Sequence, residues 1–169
     1  MNPMRTIKIE KLTLNIGTGE PGEKLEKART LLTTITGAKP VACTSTKRIP
    51  TWGVRPGLQI AMKVTLRGKK AQDLLQRLLH AKANKLKESN FDKFGNFSFG
   101  IPEYIDIPGV EYDMKIGIIG LECAVTLERP GFRVKKRNLR KSRIPLKHQI
   151  KKEESINFIK QLFNTEIIK

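Results

Sequence analysis

The sequence predicts an α+β fold: a mainly antiparallel sheet with helices packed on one face, a long basic hairpin loop and a basic C-terminal extension. Three observations lead there. Segments 7–16 (IKIEKLTLNI) and 122–129 (ECAVTLER) alternate apolar and polar side chains, the mark of a strand with one wet face. Segments 23–37 and 69–87 repeat apolar residues at helical spacing. Hairpins and flanking helices mix along the chain, which fits a mainly antiparallel α+β arrangement.

Taken in order, the strand at 7–16 runs into the turn GTGEPG and then the helix EKLEKARTLLTTITG. Leu25, Ala28, Leu31, Leu32 and Ile35 form its apolar face, and Gly37 stops it. KPVACTST and LQIAMKVTLRG read as two strands of a hairpin, joined by KRIPTWGVRPG. A hairpin connection of that length is usually functional. In 69–87, Ala71, Leu74, Leu75, Leu78 and Leu79 form the strongest apolar face in the chain. FDKFGNFSFG follows with Phe91, Phe94, Phe97 and Phe99, then the turn at Pro108-Gly109 and the strand ECAVTLER. EESINFIKQLF (153–163) returns to helix, with Ile156, Ile159 and Phe163 on one face and Glu153 and Glu154 suited to the dipole at its start. The chain reads as one domain over 1–169, with 133–152 a basic segment and 153–163 a C-terminal helix.

Charge is the strongest functional signal. Lys plus Arg number 33 against 16 Asp plus Glu, a formal net charge of +17. Such an excess opposes compaction and calls for a polyanionic partner, nucleic acid before all others. No long amphipathic basic helix is present, which disfavours a membrane surface. No apolar run is long enough to span a bilayer, and MNPMRTIKIEKL lacks a signal-peptide core, so a cytosolic protein is expected. Cys43 and Cys123 read as buried, reduced thiols, and His80 and His148 have no ligand-spaced partners, so no metal or cofactor is expected.

Segment 133–152 holds ten Lys or Arg and no acid. Apolar residues from Phe132 to Ile150 interrupt it, so it is more than a solvated tail. Arg133, Lys135, Lys136, Arg137, Arg140, Lys141 and Arg143 are candidate phosphate contacts. In the hairpin loop, Lys47, Arg48 and Arg55 offer further phosphate contacts, while Pro50, Pro56, Gly53 and Gly57 limit the entropy lost on docking. Trp52 offers a plane for a ribose or base, or folds back onto its own hairpin; the residues alone leave both open. The Phe cluster at 91–99 suits core packing better than base stacking, because only Lys93 is interleaved with it.

The alternatives are weaker. GTGEPG matches G-x-G-x-x-G between a strand and a helix, the context of a dinucleotide fingerprint. Glu20, however, puts a carboxylate where a pyrophosphate would sit, and the next strand carries no ribose-binding acid. An RNA-modifying or nucleotide-dependent enzyme built on this loop is the competing reading. No nucleophile motif is present, and Asp106, Glu111 and Asp113 are expected to pair with cations rather than act as acid and base.

Several blocks, in order, resemble a known family: LTLNIGTGE, TGAKPV, TSTKRIPTWGVRPGLQIAMKVTLRG, GNFSFGIPEYIDIPGVEYDMKIGIIGLE and RPGFRVKKR. They look like large-subunit ribosomal protein five, the 5S rRNA-binding protein of the central protuberance. The ending KHQIKKEESINFIKQLF is similar to its archaeal and eukaryotic branch. The resemblance implies a non-enzymatic constituent of the cytoplasmic large ribosomal subunit. The implied partners are 5S rRNA, adjacent large-subunit rRNA, peptidyl-site tRNA met by the 46–59 loop, neighbouring proteins of the central protuberance, and a small-subunit head protein across the subunit interface. Asn15 and Thr65 match family positions implicated in 5S rRNA contact, with Lys39 and Arg67 assigned to the same surface. An amide and a hydroxyl can bond bases or 2′-hydroxyls without sequence-blind charge. Ala38 stands where the family often has Gln, so that contact is missing here and Lys39 is expected to compensate. Lys47, Arg48, Trp52 and Arg55 fall in the tRNA-facing loop; the family often has Phe where Trp52 stands.

Overall fold

Strand β1 (Lys8–Gly17) occupies the middle of a five-stranded sheet in a computed structural model that describes residues 2–168. On one side it pairs with β3 (Gln59–Leu66), which pairs in turn with β2 (Val41–Thr44). On the other side it pairs with β6 (Leu121–Glu128), which pairs with the edge strand β5 (Phe97–Ile101). All four pairings are antiparallel.

The pleat sends Leu12, Leu14 and Ile16 to one face, beside Met62, Val64 and Leu66 of β3. Cys123, Val125 and Leu127 of β6 and Phe97, Phe99 and Ile101 of β5 complete that face. Helices α1 (Glu23–Thr36) and α2 (Lys69–Ala81) cover it with the apolar residues that the spacing picks out. Each fully buried Leu contributes about 2 kcal/mol from area removed from water. The opposite face of the sheet is left open.

Helix α1 ends where Gly37 takes a left-handed φ of 63° and returns its N–H to the Thr33 carbonyl. Helix α2 ends at Ala81, six residues before the expected boundary. Ala83 and Asn84 both have positive φ, and the Asn84 N–H closes onto the Leu79 carbonyl. The residues beyond form β4 (Lys85–Lys87), paired in parallel with β7 (Glu166–Ile168), a small second sheet the sequence reading did not anticipate.

Phe91, Phe97 and Phe99 are buried and stacked in succession, whereas Phe94 is exposed. The cluster is therefore core packing, apart from Phe94. Cys123 is buried, and burial pushes its thiol pKa up; Cys43 is only half-buried, contrary to expectation.

After β6 comes one turn of helix, α3 (Arg133–Lys136), an extended basic stretch, and α4 (Lys152–Phe163). Ile159 of α4 is buried as expected, but Ile156 and Phe163 are only half-buried. The other fully buried position is Ser155, whose hydroxyl donates to the Gly95 carbonyl at 2.6 Å. Position 95 requires a glycine. Its φ is +78°, and a Cβ would lie 2.6 Å from Ile150 Cγ2.

Candidate nucleic-acid interface

Register fixes what the open face presents. Asn15 lies opposite Lys63 on one side and Glu122 on the other. Thr13 lies opposite Thr65 and Ala124. Ser98 and Gly100 extend these rows onto β5. Asn15 and Thr65 thus share a face as diagonal neighbours. The Thr13 and Thr65 hydroxyls are 3.5 Å apart, and Asn15 Nδ2 donates to Glu122 Oε2 at 3.2 Å. The centre of the face is polar, with hydroxyls and an amide and with Lys63 and Glu122 on either side of Asn15, and it can offer hydrogen bonds to bases and 2′-hydroxyls. Lys39, two residues before β2, and Arg67, one residue past β3, are both exposed at the same end of the hairpin. Thr13, Lys63 and Glu122 were not singled out from sequence. The signal was present: Thr13 and Lys63 stand two residues from Asn15 and Thr65, on the same strand parity.

The hairpin loop is built, not slack. Ser45 and Leu58 close its base, through the Ser45 N–H to the Leu58 carbonyl at 2.8 Å and the Gly57 N–H to the Ser45 carbonyl at 2.9 Å. Above them Ile49 and Val54 bridge, and Pro50–Trp52 form a helical turn that ends at Gly53 with a φ of 63°. Val54 is buried, so it anchors the tip. Trp52 is 76% exposed, which excludes folding back onto the hairpin. Lys47, Arg48 and Arg55 are exposed, and among the described residues none of them makes an ion pair.

The basic segment is held at both ends. Phe132 and Ile150 are buried, and His148 Nε2 lies 2.9 Å from the Pro130 carbonyl. Arg129 is 5% exposed. It donates to Glu154 Oε1 at 2.8 Å and reaches the His148 and Gln149 carbonyls at 3.4 Å. Burial opposes ionisation of Glu154, but the Lys151 N–H and the Arg129 guanidinium outweigh it and hold its pKa below the usual carboxylate value.

Between these anchors the chain loops outward. Arg137 Nε donates to the Arg140 carbonyl, and Ser142 N–H returns to the Val134 carbonyl. Arg133, Arg137, Arg140, Lys141 and Arg143 are exposed, and Lys135 lies over the Phe132 ring at 4.7 Å. Lys136 differs. Its ammonium sits 2.6 Å from Glu10 and 2.8 Å from Glu128. Burial works against its charge, yet hydrogen bonds to these two carboxylates prevail and raise its pKa. It ties α3 to the sheet.

The GTGEPG turn does not form a phosphate cradle. Thr18 Oγ donates to the Glu20 and Ile60 carbonyls, and Glu20 pairs with Lys24 at 2.7 Å. Asp106, Glu111 and Asp113 correct the expectation placed on them: among the described residues, no ion pair includes any of the three. They lie with Glu103 on an exposed loop beside Tyr112, Met114 and Ile118. Among the described residues no cluster of His, Cys, Asp or Glu could hold a metal, and no helix is long and apolar enough to cross a membrane.

Comparison with known proteins agrees with this layout. The family model for ribosomal protein L5 matches residues 2–55, and the C-terminal model of the same family matches 59–158. Together they take in β1 through most of α4, and the hairpin joins the two matched segments within one sheet. Named relatives include large ribosomal subunit protein uL5 of Sulfurisphaera tokodaii, 50% identical over 99% of this chain and 96% of the relative. The protein of that name from Nanoarchaeum equitans is 52% identical over 99% of both chains. That from Methanococcus vannielii is 45% identical over 98% of this chain and 93% of the relative. With both family segments matched and archaeal relatives at about half identity over nearly the full length, the chain belongs to the ribosomal protein L5 family, in its archaeal-type branch.

Proposed function

We propose that this protein is a structural, non-enzymatic constituent of the cytoplasmic large ribosomal subunit that binds 5S rRNA on the open face of its sheet. The observation that carries the 5S assignment is the contrast between that face and the rest of a +17 protein. Asn15, Thr13 and Thr65 sit at its centre, and the two charged residues beside Asn15, Lys63 and Glu122, are of opposite sign, so hydrogen bonding rather than net charge sets this face apart. Lys39 and Arg67 at its rim supply phosphate contacts.

The exposed cations of 133–152 lie on large-subunit rRNA backbone, with Lys136 positioning α3 instead. The loop at 46–59, with Lys47, Arg48, Arg55 and the exposed Trp52 ring, meets peptidyl-site tRNA. The acidic and apolar loop at 103–118 suits protein rather than RNA, and it faces the neighbouring ribosomal proteins, including a basic protein of the small-subunit head.

The test is binding of purified protein to matched 5S rRNA and to a length-matched structured RNA across a salt series. Non-specific contacts should weaken with a log-log slope of about −0.7 to −0.9 per neutralised phosphate. A 5S preference that persists as salt rises supports the sheet-face reading. Equal affinities that collapse together refute it.

A further inference from the structure

We propose that the open face contains a site for the Watson–Crick edge of an unpaired guanine, set between Glu122 and Lys82. The inference rests on the reading of that face as the RNA-binding surface. An open recess of about 500 Å³ lies at the end of the sheet, lined by Asn15, Gly17, Lys82, Gly100, Gly120 and Glu122.

Its glycines are of two kinds. Gly120 is needed for packing, since a Cβ there would lie 2.8 Å from the Pro102 carbonyl oxygen. Gly17 and Gly100 are not. Neither has a left-handed φ, and a Cβ on either would meet nothing within 4 Å. A glycine inside a strand weakens it and marks close approach by a ligand or another backbone. Gly100 lies directly opposite Glu122, so the floor beside the carboxylate is bare.

Glu122 is exposed and makes no ion pair among the described residues. One of its oxygens accepts from Asn15 Nδ2 at 3.2 Å. A carboxylate has about four lone-pair sites, so acceptors remain on both oxygens. Guanine is the base whose Watson–Crick edge carries two adjacent donors, N1–H and the N2 amino group. Adenine and cytosine place an acceptor beside their donor, and uracil flanks its single donor with two acceptors. A carboxylate repels those acceptors and takes the guanine pair in a bidentate bond. Lys82, across the recess, suits the attached phosphate. Unstacked bases in single-stranded RNA are read by such edge contacts.

A charge argument alone predicts the opposite sign, because an acid on an RNA-binding face lowers affinity for any RNA. The experiment compares decauridylate oligonucleotides carrying one central guanosine, inosine or adenosine, for the intact protein and for Glu122→Ala and Gly100→Val. Inosine keeps N1–H and lacks the amino group. We expect the intact protein to prefer guanosine about fivefold or more, the discrimination typical of a bidentate edge contact. Glu122→Ala should abolish the preference, losing the bond to guanosine while strengthening binding to the adenosine oligonucleotide. Gly100→Val should abolish it with the carboxylate still in place. Equal binding of the three by the intact protein, or a guanosine preference that survives in Glu122→Ala, overturns the proposal. The 5S preference of the intact protein, measured in the same buffer, separates the two failures. If it holds while the guanosine preference is absent, only this site is wrong. If it too is absent, the assignment of the face falls.

Discussion

Replacing Arg129 by Met tests whether one buried guanidinium holds the basic segment in place. Arg129 makes one short charged bond, to Glu154 at 2.8 Å, and two long contacts at 3.4 Å. A hydrogen bond to a charged group is worth about 1.5–3 kcal/mol, and the long contacts add little. Breaking a fully buried pair costs about 3–5 kcal/mol, because a charge is left stranded. Here Glu154 is 42% exposed and stays hydrated without its partner, so that upper range does not apply. The Arg129 Nε has no partner even in the native structure, which lowers the net value further. The expected loss is about 2 kcal/mol, or a Tm lower by about 4–8 °C for a chain of this size. Urea denaturation at neutral pH reads the loss, and hydrogen exchange at residues 144–151 should show faster opening than in the sheet. A change below about 0.5 kcal/mol, with exchange unaltered, would refute the anchoring role. The pH dependence gives a second check on the same pair. The pKa of Glu154 is lowered in the folded state, so its contribution is fully present above the unfolded value near 4.5 and is lost as pH falls through the lower folded value. The stability gap between the intact protein and Glu154→Gln should be constant above about pH 5 and close in more acid solution.

Other outcomes follow from the surface. Trp52→Ala should leave stability within about 0.5 kcal/mol, since the ring is exposed, while weakening the protein-dependent contact of assembled subunits with peptidyl-site tRNA. Lys136→Met should lower stability by about 1–2 kcal/mol by unpairing Glu10, which is only 14% exposed, and leave the salt slope of RNA binding unchanged. Arg140→Gln should do the reverse, reducing the slope by about 0.7–0.9 with stability intact; a similar slope change in both variants would refute the distinction. Asn15→Ala and Thr65→Ala should reduce 5S discrimination at equal net charge, measured against the length-matched RNA. Unchanged discrimination in both would move the specific contact off the sheet.

Much of this fold was legible because strand and helix periods are local. Residues 7 to 16 alternate cleanly enough to mark a strand with one wet face, and the structure turns Leu12, Leu14 and Ile16 inward and Asn15 outward. The apolar faces of α1 and α2 followed from spacing in the same way. What escaped was decided by contacts distant in sequence. Helix α2 stops at Ala81 because two residues turn left-handed and the chain is drawn into a parallel pairing with residues some 80 positions away. Ser155 is buried because its hydroxyl finds the Gly95 carbonyl. Lys136 reads from sequence as one more free cation in a basic run, but the bulge in β1 between Ile9 and Lys11 and the end of β6 bring Glu10 and Glu128 to it. Trp52 was undecidable because ring, prolines and glycines fit either fate; the buried Val54 settles it by taking the anchoring place.

The distribution of charge divides affinity from specificity. A net charge of +17 attracts any polyanion, and adding cations to the proposed recognition face would strengthen correct and incorrect partners alike. The segment at 133–152 holds ten Lys or Arg and the loop at 46–59 three, and neither carries an acid to offset them. The centre carries hydroxyls, an amide, bare glycine positions, and one ammonium and one carboxylate at Lys63 and Glu122. The hydroxyls and the amide gain little from a phosphate and lose free energy when a mismatched edge leaves them unpaired. Substitutions on the two surfaces should therefore separate in a single salt titration. Changes on the loops alter the slope and the affinity for every RNA, whereas changes at Asn15 or Thr65, which keep the net charge, alter the gap between RNAs and leave the slope nearly parallel. A loop substitution that changed the gap without the slope would mean that specificity resides on the basic segments, and the sheet's open face would then need another occupant.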